Sequence, residues 1–219
     1  ITGERLRNEL TLMLNEPLPE HGFRKLHNRG ILHAIHPSFQ MDDELETHFK
    51  QVREETIDWV VSIDDMCDFL WHILLSAVPH EHMQSLCERL LFSKSLAASF
   101  EQTAYLKQVP ERIAHEQLND SQVVKTLDDI SEIALGALLI VSEDESVITR
   151  VRQYLTTWQH IRPSTTGHTL REAGLAPGPY YRTILEQLRD AWIDGTISNE
   201  GEERELRDRL IAEAMHDKS

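Results

Sequence analysis

The chain has 219 residues, enough to bury a substantial core in one large domain or two small ones, and it carries a net charge of −15. That charge excludes a general nucleic-acid binder, because neutralising phosphates needs lysine and arginine in excess. The longest apolar run, Ile133 to Val141, is about half of what a bilayer-spanning helix needs, and no charged-then-apolar signal segment opens the sequence, so the expected location is the cytoplasm.

Residues 2–14 fit an amphipathic helix, with Thr2 as N-cap and Leu6, Leu10, Met13 and Leu14 on one stripe. Arg5 and Glu9 stand at i and i+4, a spacing that allows a surface ion pair. Pro17 and Pro19 end that helix and begin another, which carries Phe23 and Leu26 and stops at Gly30; residues 31–37 form a short apolar helix closed by Pro37.

Between Asp42 and Asp68 ten acids face only Lys50 and Arg53, the pattern of a solvated helix face. Asp64, Asp65 and Asp68 could gather a hard cation, but Asp64 directly precedes an apolar helical stripe and reads better as its cap. That stripe runs from Ile63 to Val78 through Met66, Cys67, Leu70, Trp71, Leu74 and Leu75, and Pro79 ends it. Helices are then expected over 80–91, 93–107 with Ser93 as N-cap, 110–117, 121–128, 130–142 and 145–160. Cys67 and Cys87 read as small buried hydrophobes on separate helices.

The stretch from Arg162 to Leu185 reads as helix, tight turn, helix. Thr166-Gly167 opens a short helix that Gly174 stops, and Pro177-Gly178-Pro179 resets the backbone before an amphipathic helix that begins at Tyr180. Such a turn can aim free backbone N–H groups at an anion, although hairpins of this kind often serve only the core. The helix from Tyr180 buries Ile184, Leu185, Leu188, Ala191 and Trp192 and stops at Asp194-Gly195; a charged helix over about 199–215 follows, with Leu206, Leu210 and Ile211 as its thin apolar side. Residues 149–190 carry +3, against −18 for the remainder, so the positive charge is local. Tyr180 and Tyr181 beside Arg182 could stack on bases.

No run alternates with the period of a strand. The expected fold is all-α, an array of about ten to twelve helices with no sheet, softly divided near residues 120–130. No phosphate-binding loop, GxGxxG, HExxH or Gly-x-Ser-x-Gly is present. His33-x-x-His36 and His80-x-His82 lack the carboxylate or cysteine partner that would complete a metal site.

The run from His160-Ile-Arg-Pro through Thr166-Gly167 and Gly174-Leu-x-Pro-Gly-Pro179 to Ile184-Leu185, followed by Leu188 and Asp194-Gly195, closely resembles the C-terminal region of bacterial class II tRNA nucleotidyltransferases, the CCA-adding and A-adding enzymes of the poly(A) polymerase family. Thr2-Gly-Glu-Arg-Leu6 and Glu9-Leu10 resemble the start of that family's neck, and 31–37 the segment after it. The resemblance covers about residues 1–50 and 130–196.

It implies a neck-like start over 1–56, a helical body over 57–128 and a tRNA-binding tail over 129–219. It also implies neck architecture for Thr2, Arg5 and Glu9. The implied tRNA contacts are Arg150, Arg162, Thr166, Gly167, His168, Arg171, Tyr181 and Arg182, with the Gly178 turn as a backbone anion site on the acceptor and T-arm side. The paired Asp-x-Asp and the Glu-Asp-x-x-Arg of the family's catalytic head are missing. The chain is therefore expected to be a non-catalytic C-terminal piece without catalytic residues, metal or cofactor of its own. Mg2+ and ATP or CTP would belong to an upstream head in the parent chain. The other reading is a helical protein-interaction scaffold whose acidic 42–68 face meets a basic partner.

Overall fold

The computed structural model describes residues 1–54 and 66–216. Among them are fourteen α-helices, eleven with seven or more residues, and no strand. The fold is all-α, as expected. The cap assigned to Asp64 lies outside the described residues. The helices form two compact units, one of Ile1–His115 with Asp129–Leu155, the other of Glu116–Asp128 with Thr156–Ser219.

The first unit contains α1 (Gly3–Leu14), α2 (Pro19–Asn28), α3 (Ile31–Ile35), α4 (Asp43–Glu54), α5 (Met66–Leu75), α6 (His80–Leu90), α7 (Lys94–Gln108), α8 (Glu111–Ala114), α10 (Glu132–Val141) and most of α11 (Glu145–Thr156). Its centre is α10, apolar on every side, which buries Leu135, Leu138, Ile140 and Val141 while packing on α4, α5 and α7. Full burial of such a side chain stabilises by about 1.5–3 kcal/mol, so a helix with no polar face belongs in the middle of the unit. Around it Trp71, Phe92 and Phe100 meet edge to face, with ring centroids 4.9 and 5.1 Å apart. The Trp71 indole N–H donates to Thr11 Oγ1 at 3.1 Å, tying α5 to α1.

The N-terminal motif is seated by a close approach. Thr2 caps α1 by accepting from Arg5 N–H at 3.3 Å, and Gly3 lies so near α6 that a Cβ there would stand 2.1 Å from the Arg89 carbonyl oxygen. Arg7 completes the joint by donating to the Leu91 carbonyl and lying over the Phe92 ring. Arg5 and Glu9 are both exposed, and no ion pair joins them among the described residues.

Expected helices end early in several places; α5 stops at Leu75 instead of running on to Val78. The one expected over 110–117 is only α8, because His115 turns extended at φ −62°, ψ 129°. The one expected over 145–160 ends at Thr156, because Thr157 leaves helical geometry at φ −135° and a 3-10 turn takes residues 158–160. β-branched Thr156-Thr157 loses χ1 freedom in a helix, which favours a break there.

The second unit contains α9 (Asp120–Leu127), α12 (Gly167–Glu172), α13 (Tyr180–Ile193) and α14 (Glu200–His216). Leu170, Leu175, Ile184, Leu188, Ile211 and Ala214 make its core, with Tyr180, Tyr181 and Leu206 packed against it. Ser121 fastens α9 to the end of α13 by donating from its N–H and its hydroxyl to Asp194, both at 2.8 Å.

Candidate nucleic-acid interface

The hairpin of α12 and α13 owes its shape to local chemistry. Thr166 and Thr169 cap α12 reciprocally: the Thr166 N–H donates to Thr169 Oγ1 at 2.7 Å, and Thr166 Oγ1 accepts from the Thr169 N–H. Gly174, at φ +88°, ends the helix in the left-handed region, and the Leu175 N–H returns to the Leu170 carbonyl at 3.1 Å. Leu175 then enters the core, and its carbonyl accepts from the Tyr181 hydroxyl at 2.6 Å. The two tyrosines therefore serve the hairpin's packing, and Tyr181 in particular is half-buried with its hydroxyl engaged. Gly178 has no positive φ, and a Cβ there would meet only the Ala176 carbonyl at 3.9 Å. Nothing in the fold of this chain demands glycine at that position.

An open groove of about 660 Å³ runs along the hairpin. Its walls include Arg162, Thr166, Gly167 and Arg182, four of the residues expected at the interface, with Pro163 and Leu185 adding apolar surface. Arg162 is exposed and donates to its own loop's carbonyls, Gln159 at 2.6 Å and Ile161 at 2.8 Å, which fixes the guanidinium at the rim. Arg182 is also exposed and pairs with Glu186 one turn along α13 at 2.6 Å, an i,i+4 pair that solvent screens. The Glu186 carboxylate raises the Arg182 pKa through their hydrogen bond and their Coulombic attraction. Arg189, also in the wall, is gripped by both oxygens of Asp128.

The remaining expected residues are not in these walls. His168 and Arg171 are exposed on α12; His168 stands 3.5 Å from Glu172, while Arg171 makes no ion pair or side-chain hydrogen bond among the described residues. Arg150 belongs to the first unit, where its guanidinium donates to the Ile113 carbonyl at 2.6 Å and the His115 carbonyl at 3.3 Å, closing the end of α8.

Sequence reading passed over Glu203, which lies beneath the loop that forms one wall. This side chain on α14 is 1% exposed. Its Oε1 accepts from the Thr165 N–H at 2.7 Å, the Thr165 hydroxyl at 2.6 Å and the Ser164 hydroxyl at 2.9 Å. Its Oε2 accepts from the Ser164 N–H at 3.1 Å and the Trp192 indole at 2.7 Å. Burial alone would raise its pKa, but these donors outweigh burial and hold the carboxyl down to about 2. The signal was available: Glu203 falls on the same stripe as Leu206 and Leu210, an acid on an otherwise apolar seam.

Of the paired histidines, His33 and His36 are engaged by the fold. His33 Nδ1 meets the Pro37 carbonyl at 3.1 Å; His36 Nδ1 accepts from the Ser38 N–H and its Nε2 meets Ser85 Oγ at 2.9 Å. Among the described residues no three His, Cys, Asp or Glu side chains gather as a metal site would need, and no helix is long and apolar enough to cross a membrane.

Residues 1–42 match the family described as the probable RNA and SrmB-binding site of polymerase A. Over 97% of its length the chain is 27% identical to the A-adding tRNA nucleotidyltransferase of Geobacter sulfurreducens, of which it spans 25%. Among solved structures it is similar to the Thermotoga maritima CCA-adding enzyme complexed with tRNA, at a TM-score of 0.72 and 18% identity, covering 98% of this chain and 52% of that one. It is also similar to a CCA-adding enzyme complexed with ATP, at a TM-score of 0.70 and 17% identity, covering 100% of this chain and 52% of that one. The chain thus has the fold of about half of a CCA-adding enzyme and spans a quarter of its curated relative.

Proposed function

We propose that this chain is the non-catalytic, tRNA-binding portion of a tRNA 3′-end nucleotidyltransferase, and that an upstream head in the parent protein supplies CCA or A addition with Mg2+ and ATP or CTP. The observation that carries the reading is the groove on the second unit, where Arg162, Thr166, Gly167 and Arg182 come together. Two exposed guanidiniums flanking an apolar floor suit a ribose-phosphate backbone: the cations take phosphates, and Pro163 and Leu185 accept the sugar or base face. A net charge of −18 outside residues 149–190 disfavours unspecific binding and leaves the local +3 segment as the place where RNA is held. Likeness to an enzyme solved with tRNA supports the same choice of ligand. In this reading neck-like segment, body and tail follow one another along the chain, Thr2, Arg5 and Glu9 belong to the neck, and His168, Arg171 and the Gly178 turn extend the contact beyond the groove.

The test is equilibrium binding of deacylated tRNA to the purified chain across a salt series. Few phosphates are touched, so binding is expected to be weak at low salt and to decline with a log–log slope of about −2 to −4, near −0.9 per phosphate. No binding at low salt, or binding indifferent to salt, overturns the assignment.

A further inference from the structure

We infer that Glu203 is a positioning residue for RNA binding: from inside α14 it holds the 162–166 loop in the conformation that places Arg162 and Thr166 on the groove wall. This rests on the groove being the RNA-facing surface. The geometry is specific to a carboxylate. Five donors converge on its two oxygens, three of them on Oε1, and three of the five are N–H groups that cannot turn round to accept. Ser164 and Thr165 thereby spend both their N–H groups and both their hydroxyls on Glu203, and the next residue, Thr166, is closed by its exchange with Thr169. The loop is thus tied at three consecutive residues, and Arg162, two residues before the first tie, braces against the carbonyls of 159 and 161. The Trp192 indole, on the same carboxylate, links this anchor to α13, which carries Arg182 on the groove's other wall. One buried anion therefore ties the loop that carries Arg162 to the helix that carries Arg182, and ordering that loop before RNA arrives removes an entropic cost from binding.

Replacing the carboxylate by an amide puts an NH2 against donors. Whichever way the amide is turned, an N–H of the loop or of Trp192 faces another donor, so the anchor fails with little change in volume. The experiment compares wild type with Glu203→Gln by hydrogen exchange at the Ser164 and Thr165 amides and by tRNA affinity over a salt series. The expected result is loss of protection at those two amides with protection kept in α13. At least tenfold weaker tRNA binding and a salt slope shallower by about one are expected alongside. Thr165→Val, which removes one donor and keeps the volume, should move both readouts the same way by less, and it serves if Glu203→Gln unfolds the unit. Amides that stay protected overturn the positioning role. Amides that open while affinity and slope stay at wild-type values separate the anchor from RNA binding and also overturn it. If wild type itself binds no tRNA, the reading of the groove falls first and the inference with it, while the exchange data still report whether Glu203 holds the loop.

Discussion

At the scale of single residues, the least replaceable position in the N-terminal motif is Gly3. A methyl group there would stand 2.1 Å from the Arg89 carbonyl oxygen, a backbone atom that cannot swing aside, so α1 would have to lift from α6. Gly3→Ala should cost about 1–3 kcal/mol, in the range of forced overpacking, and should show as a lower denaturation midpoint in urea with an unchanged m-value. An unchanged midpoint would mean that the helix shifts at no cost. The sequence made Thr2 legible as a cap because capping is local, but it did not reveal why glycine follows, since the contact comes from a helix far along the chain. Glu203 was missed for a related reason: its position on α14 is plain, but its five donors sit on a loop and on α13. By contrast Arg162, Thr166, Gly167 and Arg182 were legible as a group because the caps and stops that bring them together lie within the hairpin itself.

At the scale of elements, α5 carries a pH response. His72 is 1% exposed, with Nδ1 at the Asp68 carbonyl, 2.8 Å, and Nε2 at Ser99 Oγ, 2.9 Å. Burial lowers its pKa to about 4, only partly opposed by the bond to the Asp68 carbonyl. The unfolded chain takes up this proton near pH 6.5 and the folded core refuses it until about pH 4. Stability therefore falls as pH drops through that window, by up to about 3 kcal/mol, and is steady above it as far as this group is concerned. His48 is shifted the same way, first by burial and then by Lys107. Urea midpoints measured between pH 4 and 7 should slope upward with pH, and His72→Gln should flatten much of the slope. A slope identical in the variant would remove His72 as its source. The helix assignments themselves were readable from apolar period and caps. They failed at the ends of α8 and α11, where the backbone leaves helical geometry at His115 and Thr157.

At the scale of the whole molecule, the charge is divided in a way that fits one job. An acidic chain carries a short arginine-rich segment, and the fold gathers part of that segment around one groove while using Arg150 and Arg189 for its own structure. Local charge counting located the segment but could not separate arginines that close a helix end from arginines left at the rim, because their partners, the Ile113 carbonyl and Asp128, lie outside it. The central claim is that the groove grips tRNA. Its most direct test is tRNA affinity at low salt for wild type, for Arg162→Glu with Arg182→Glu, and for Lys94→Glu, an exposed charge change in the first unit. The account predicts at least tenfold weaker binding and a salt slope shallower by about two for the groove variant, with Lys94→Glu close to wild type. Equal losses for both variants, or no loss for the groove variant, would contradict it.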